Sequence, residues 1–132
     1  MTREELCRKA QDMLKMAYVP YSHFPVGAAL ECEDGRVFTG CNIENAAYGP
    51  TNCAERTAVF KAVSEGHLRF KRIAIAAATE EFCPPCGVCR QVLAEFDKDL
   101  SMEVILVNSR GDTRTFTMTE LFPHSFGSSN LT

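Results

Sequence analysis

Nowhere in the 132 residues is there an apolar run near the roughly 18 residues that a membrane-crossing helix needs. Met1-Thr2-Arg3-Glu4-Glu5 has nothing of a secretory signal, so the expectation is a cytoplasmic protein with no membrane partner. Positive charge is not in excess either: the formal net charge is −3. A domain that tracks a polynucleotide carries a basic footprint, so its absence argues against nucleic acid and for a small substrate. There is no repeat, linker or low-complexity tract. His23, His67 and His124 lack the spacing of metal ligands. What remains is an ordinary globular composition, 45% hydrophobic and 23% charged, and a length that fits one domain over residues 1–132.

Cysteine is plentiful. Seven is an odd count, and three of the seven fall between Cys83 and Cys89. That is poor disulfide arithmetic but good metal arithmetic, and it fits a reducing compartment. Cys7, Cys32 and Cys41 lie on helix or strand patterns and read as small buried residues.

Thr2-Arg3-Glu4-Glu5 forms a capping box opening a helix, with Leu6, Ala10, Met13, Leu14 and Ala17 on its packed face. Val26 to Cys32 and Arg36 to Cys41 are strands joined by a turn at Asp34-Gly35. A polar stretch, Asn42 to Thr51, precedes a helix from Cys53 to about Glu65, which Gly66 stops. Ile73 to Ala78 is a doubly covered strand. A loop leads to a helix from about Cys86 to Asp97, with Val88, Val92, Leu93 and Phe96 on one face. Val104 to Val107 is the next strand. The strand–helix–strand passage predicts a parallel pair. Only Asn108 to Asp112 separates the last strand, Thr113 to Thr117, so that pair should be antiparallel. The expected fold is therefore a three-layer α/β/α arrangement around a mixed sheet of about five strands.

Two segments carry the chemistry, Asn52-Cys53-Ala54-Glu55 and Pro85-Cys86-Gly87-Val88-Cys89-Arg90. Three thiolates, Cys53, Cys86 and Cys89, can hold one zinc ion per chain and leave its fourth position open. Both segments fall at helix N-termini, where unpaired N–H groups favour anionic sulfur. Three thiolates on a zinc dication leave a formal charge of about −1, so Arg56 and Arg90 are expected to bond thiolates or nearby carbonyls. Glu55 is placed to shuttle protons, although with Asn52 as N-cap it would also occupy the capping-box position. This ligand set, with a non-ligand Glu and a Pro-Cys-x-x-Cys run, is the described signature of zinc deaminases. A structural site closed by Cys53, Cys83, Cys86 and Cys89 is the rival arrangement, and it would make the chain a non-catalytic zinc module.

The chain also resembles, nearly end to end, the small homotetrameric zinc-dependent cytidine deaminases of pyrimidine salvage. The likeness runs through Tyr21-Ser22-His23-Phe24-Pro25-Val26-Gly27-Ala28-Ala29, Gly40 to Tyr48, both cysteine segments, and Leu121-Phe122-Pro123-His124-Ser125-Phe126-Gly127. The resemblance implies hydrolytic deamination of cytidine and deoxycytidine. It makes Cys53, Cys86 and Cys89 the zinc ligands and Glu55 the catalytic proton shuttle. It implies that Asn42 and Glu44 bond the ribose 3′-hydroxyl, that Phe24 and Phe126 pack on the nucleoside, and that the Ala54 backbone meets the base. Phe126 and Tyr48 would enter a neighbour's site, so the sites of the homotetramer would be shared. Val88 stands where the family often has alanine, and Cys83 is an extra thiol. A blasticidin-type antibiotic deaminase shares the metal motifs, but the Asn42/Glu44 pair and the aromatic tail favour the simple nucleoside.

Overall fold

The computed structural model describes residues 1–131. Thr2 caps the first helix, α1 (Arg3–Asp12), with the full reciprocal box: its hydroxyl accepts from Glu5 N–H and the Glu5 carboxylate accepts from Thr2 N–H. The helix tightens to a 3-10 turn at Met13–Met16, so the packed face is Leu6, Cys7 and Ala10. Met13, Leu14 and Ala17 fall outside the regular helix and are less buried, which shortens the predicted face.

Five strands follow: β1 (Val26–Cys32), β2 (Val37–Cys41), β3 (Phe70–Ala77), β4 (Glu103–Val107) and β5 (Thr113–Thr117). They form one sheet in the order β2-β1-β3-β4-β5. β3 and β4 are parallel and β4 and β5 antiparallel, as the connection lengths predict. β1 lies antiparallel to both β2 and β3. β2, β3 and β4 therefore all point the same way, and any helix that follows β2 or β3 begins at one edge of the sheet.

Those helices are α2 (Ala54–Ser64) and α3 (Gly87–Glu95). They pack on the face that presents Ala28, Leu30, Ile73, Ile75, Val104 and Leu106. Residues of opposite parity, Ala29, Ala74, Ala76, Ile105 and Val107, meet Leu6, Cys7 and Ala10 of α1. The period-two alternation of the strands thus builds the three expected layers. A short helix α4 (Met118–Leu121), capped by Thr117 and Glu120, leads into the tail. No helix among the described residues is long and apolar enough to cross a membrane.

Two glycines fix where α2 sits. A Cβ on Gly40 would stand 2.5 Å from the Ala54 carbonyl oxygen and 2.6 Å from the Ala58 nitrogen, so only glycine lets the helix backbone lie this close to β2. Gly66 ends the helix at φ +89. Gly66 N–H donates to Val63 O and His67 N–H to Ala62 O, the paired bonds of a Schellman cap.

The helix starts differ from the sequence reading by one residue. Cys53, not Asn52, is the N-cap of α2, and Cys86 is the N-cap of α3. Val88 then falls outside the buried stripe of Cys89 and Leu93 and is 57% exposed, which corrects its assignment to the packed face. Helical phase explains this: residues three and four apart share a face, and Val88 is adjacent to Cys89.

Candidate metal centre

Because β2 and β3 finish at the same edge of the sheet, the N-caps of α2 and α3 meet there. Cys53, Cys86 and Cys89 place their sulfurs within 4.8 Å of one another, and Cys53 Sγ and Cys86 Sγ are 3.8 Å apart. Tetrahedral zinc with bonds of about 2.3 Å to sulfur needs a sulfur–sulfur edge of about 3.8 Å. The donor set and its spacing therefore fit zinc. Cys83 stays out of this group: its thiol points to the Pro84 carbonyl oxygen at 3.9 Å, and burial pushes its pKa up. The geometry brings together three thiols, not the four of a closed structural site.

The charge on the sulfurs is managed locally. Hydrogen bonding from Cys89, with help from Arg56, lowers the Cys53 thiol pKa. The same bond to Cys53, together with burial, raises that of Cys89. Arg56 Nη2 donates to Cys53 Sγ over 3.3 Å. Arg90 takes the other expected route and bonds carbonyls. Its Nε donates to Pro85 O at 2.8 Å, and its Nη1 donates to Leu121 O, tying the metal loop to α4. Thr57, on the next turn of α2, bonds the Cys41 carbonyl at 3.0 Å and accepts from Asn52 Nδ2 at 3.1 Å, which seats the helix start against β2.

Glu55 is the second residue of α2 and only 5% exposed. Since Cys53 is the N-cap, the capping-box role expected for Glu55 does not arise. Burial pushes its carboxyl up to about 7, and the Cys53 charge adds to the effect. A carboxyl near neutrality beside a metal site can both take and give a proton, as a general acid–base group must.

The other expected residues lie at the start of α2, where the chain enters β1 and leaves β2, and in the C-terminal tail. Ala54 is fully buried at the first position of α2. Asn42 accepts from Val26 N–H at 2.9 Å and donates to Phe24 O at 2.8 Å, so its amide holds the entry to β1. Glu44 accepts from the Tyr21 and Ser22 N–H groups at 3.0 and 3.1 Å and from the Ser22 hydroxyl. Those bonds, the hydroxyl first, lower its pKa. Phe24 is partly exposed, while Tyr48 at 74% and Phe126 at 57% project from the surface. Tyr48 packs edge-on against Tyr21, with ring centroids 6.4 Å apart. Gln91, on α3, donates to the Phe126 carbonyl at 3.0 Å and so holds the tail. Ser22, Thr57 and Gln91 carry no sequence signal for these roles, since their bonds to Glu44, Cys41 and Phe126 join segments far apart in the chain.

Residues 1–104 match the family described as the cytidine and deoxycytidylate deaminase zinc-binding region. The chain belongs to this family. Among its relatives, the cytidine deaminase of Sporosarcina psychrophila is 53% identical over 131 residues, covering 99% of this chain and 96% of that protein. That of Halalkalibacterium halodurans is 50% identical over 131 residues, covering 99% and 98%. The crystal structure of a cytidine deaminase from Burkholderia pseudomallei superposes with a TM-score of 0.91 at 47% identity, over 96% of this chain and 100% of that one. As a member of this deaminase family, the chain carries its three-cysteine cluster and buried glutamate within the matched segment.

Proposed function

We propose that this deaminase-family chain is one catalytic domain that hydrolyses cytidine and deoxycytidine to uridine or deoxyuridine and ammonia, in cytoplasmic pyrimidine salvage. The observation that carries the reading is the juxtaposition of the Cys53/Cys86/Cys89 cluster with the buried Glu55, whose carboxyl is raised to about 7. Relatives over almost the full chain that are named cytidine deaminases supply the substrate class.

Cys53, Cys86 and Cys89 would hold one zinc ion, which supplies Lewis acidity and an acidified water as the nucleophile. The Glu55 carboxylate accepts a proton from that water and passes it to the ring nitrogen beside the amino-bearing carbon. As the water oxygen bonds the amino-bearing carbon and the C–N bond breaks, Glu55 carries the remaining proton of that oxygen to the departing amino group, so that ammonia leaves and the ring keeps the oxygen as a carbonyl. Arg56 holds Cys53 in place and offsets negative charge, and Arg90 keeps the Pro85 carbonyl and the loop around it fixed. The Ala54 backbone would meet the base and Phe24 would pack on it, with Asn42 and Glu44 turned to the sugar 3′-hydroxyl. A site that hydrogen-bonds a substrate hydroxyl rejects ligands that lack it, because its own polar groups are left unpaired. The exposure of Tyr48 and Phe126 supports a homotetramer in which both residues cover a neighbour's site.

The test is cytidine turnover by the purified protein, followed by ammonia release, with zinc counted on the same sample. Uridine formation at about one zinc per chain is expected from the single open site. Full zinc with no turnover of cytidine or deoxycytidine would overturn the proposed reaction.

A further inference from the structure

We propose that Ser22 is a positioning residue for sugar recognition, setting the one free acceptor site of Glu44 and locking Phe24 to the same frame. The inference rests on the Glu44–sugar contact put forward above and adds to it a residue that does not itself touch the substrate.

The hydrogen bonds around Ser22 form one unit. Glu44 Oε1 accepts the N–H groups of Tyr21 at 3.0 Å and Ser22 at 3.1 Å. A carboxylate oxygen offers about two acceptor positions, so the main chain fills this one. The other oxygen, Oε2, accepts the Ser22 hydroxyl. That leaves one acceptor position on Oε2, and the Ser22 Oγ decides where it points. Were the hydroxyl absent, the carboxylate would still be held at Oε1 but could pivot about it.

The same Ser22 oxygen accepts the Phe24 N–H at 3.1 Å. Phe24 is held at its carbonyl as well, by Asn42 Nδ2 at 2.8 Å. The Glu44 main chain is pinned separately, its N–H donating to Tyr18 O at 2.8 Å. Both backbones are thus fixed, and the serine hydroxyl joins the acid to the residue that bears the aromatic ring. Ser22 and Glu44 also line a cleft of about 420 Å³ with Tyr21, Asn45, Tyr48 and Thr51, so the pair borders space that a ligand can enter.

The experiment compares cytidine with 3′-deoxycytidine, which lacks only the 3′-hydroxyl, on wild-type, Ser22→Ala and Ser22→Thr holoenzyme. Ser22→Ala is expected to raise KM for cytidine roughly tenfold, the size of a lost bond to a charged group, with kcat little changed. Its KM for 3′-deoxycytidine should move by less than about twofold, since no 3′-hydroxyl is there to be misplaced and Phe24 is still held at its carbonyl by Asn42. Ser22→Thr, which keeps a hydroxyl, should restore most of the cytidine KM. Equal losses on both substrates, a fall in kcat that tracks zinc loss, or failure of threonine to rescue would overturn the role of Ser22. Wild-type enzyme that treats the two substrates alike would instead overturn the Glu44–sugar contact, and the role of Ser22 with it.

Discussion

Arg56 reaches back along the first turn of α2 to the N-cap sulfur of the same helix, Nη2 to Cys53 Sγ at 3.3 Å. The guanidinium therefore meets the negative charge at its source, while its Nε is buried with no partner. Arg56→Gln removes that charge while retaining a polar side chain. Zinc affinity should fall by about 10–100-fold, the usual effect of losing a partner of a metal ligand. Chelator competition on the purified variant reads this directly, and unchanged affinity would show that the helix N-terminus alone suffices.

Glu55→Gln keeps the shape of the buried side chain but can no longer take a proton. Zinc content should match the wild type, while kcat drops by roughly 10²–10⁴-fold or more, the range of general acid–base catalysis. Parallel metal analysis and turnover assays separate the two effects. A variant with near-normal turnover would remove Glu55 from the mechanism.

The same carboxyl gives a stability prediction for the metal-free protein. Burial raises its folded-state pKa from 4.5 to about 7, so the folded form binds the proton more tightly than the unfolded chain. The stability this contributes is fully present below pH 4.5 and is lost as pH rises through 7. At about 1.4 kcal/mol per pKa unit, the loss approaches about 3 kcal/mol. Urea denaturation of chelator-treated samples should show Glu55→Gln gaining on wild type as pH rises from 4.5 to 8. Parallel curves for the two proteins would contradict the shift.

Cys83 provides the contrast with the ligands. It lies outside the three-sulfur group and points to the Pro84 carbonyl. Cys83→Ser should therefore leave zinc stoichiometry and cytidine turnover unchanged within about twofold, since it removes no metal bond. Zinc release from this variant would establish the four-cysteine structural site instead.

The ligand set was readable from sequence because spacing and residue type carry it: cysteines at helix starts, one of them two residues before a glutamate. Connection lengths gave the parallel and antiparallel pairs at β3–β4–β5 for a similar reason, since geometry limits what a short loop can join. The insertion of β1 between β2 and β3 was not readable, because pairing partners are chosen by tertiary packing. The helix starts were off by one: Asn52 is the stronger capping residue by propensity, yet its side chain bonds Thr57 and Cys53 takes the cap position. Val88 was placed on the wrong face for a separate reason: it is about 100° of rotation from Cys89, which anchors the buried stripe. Ser22 and Glu44 make contact only because the segments before β1 and after β2 fold together, and nothing local to either announces it.

Arg90 joins the Pro85 carbonyl to that of Leu121, a residue 31 positions further on. During synthesis, the loop that presents Cys86 thus leaves the ribosome well before the segment that braces it. Until α4 emerges, the Arg90 guanidinium lacks its Leu121 partner. The C-terminal segment thus completes a brace on the helix that carries Cys89, a contact between parts of the chain synthesised at different times.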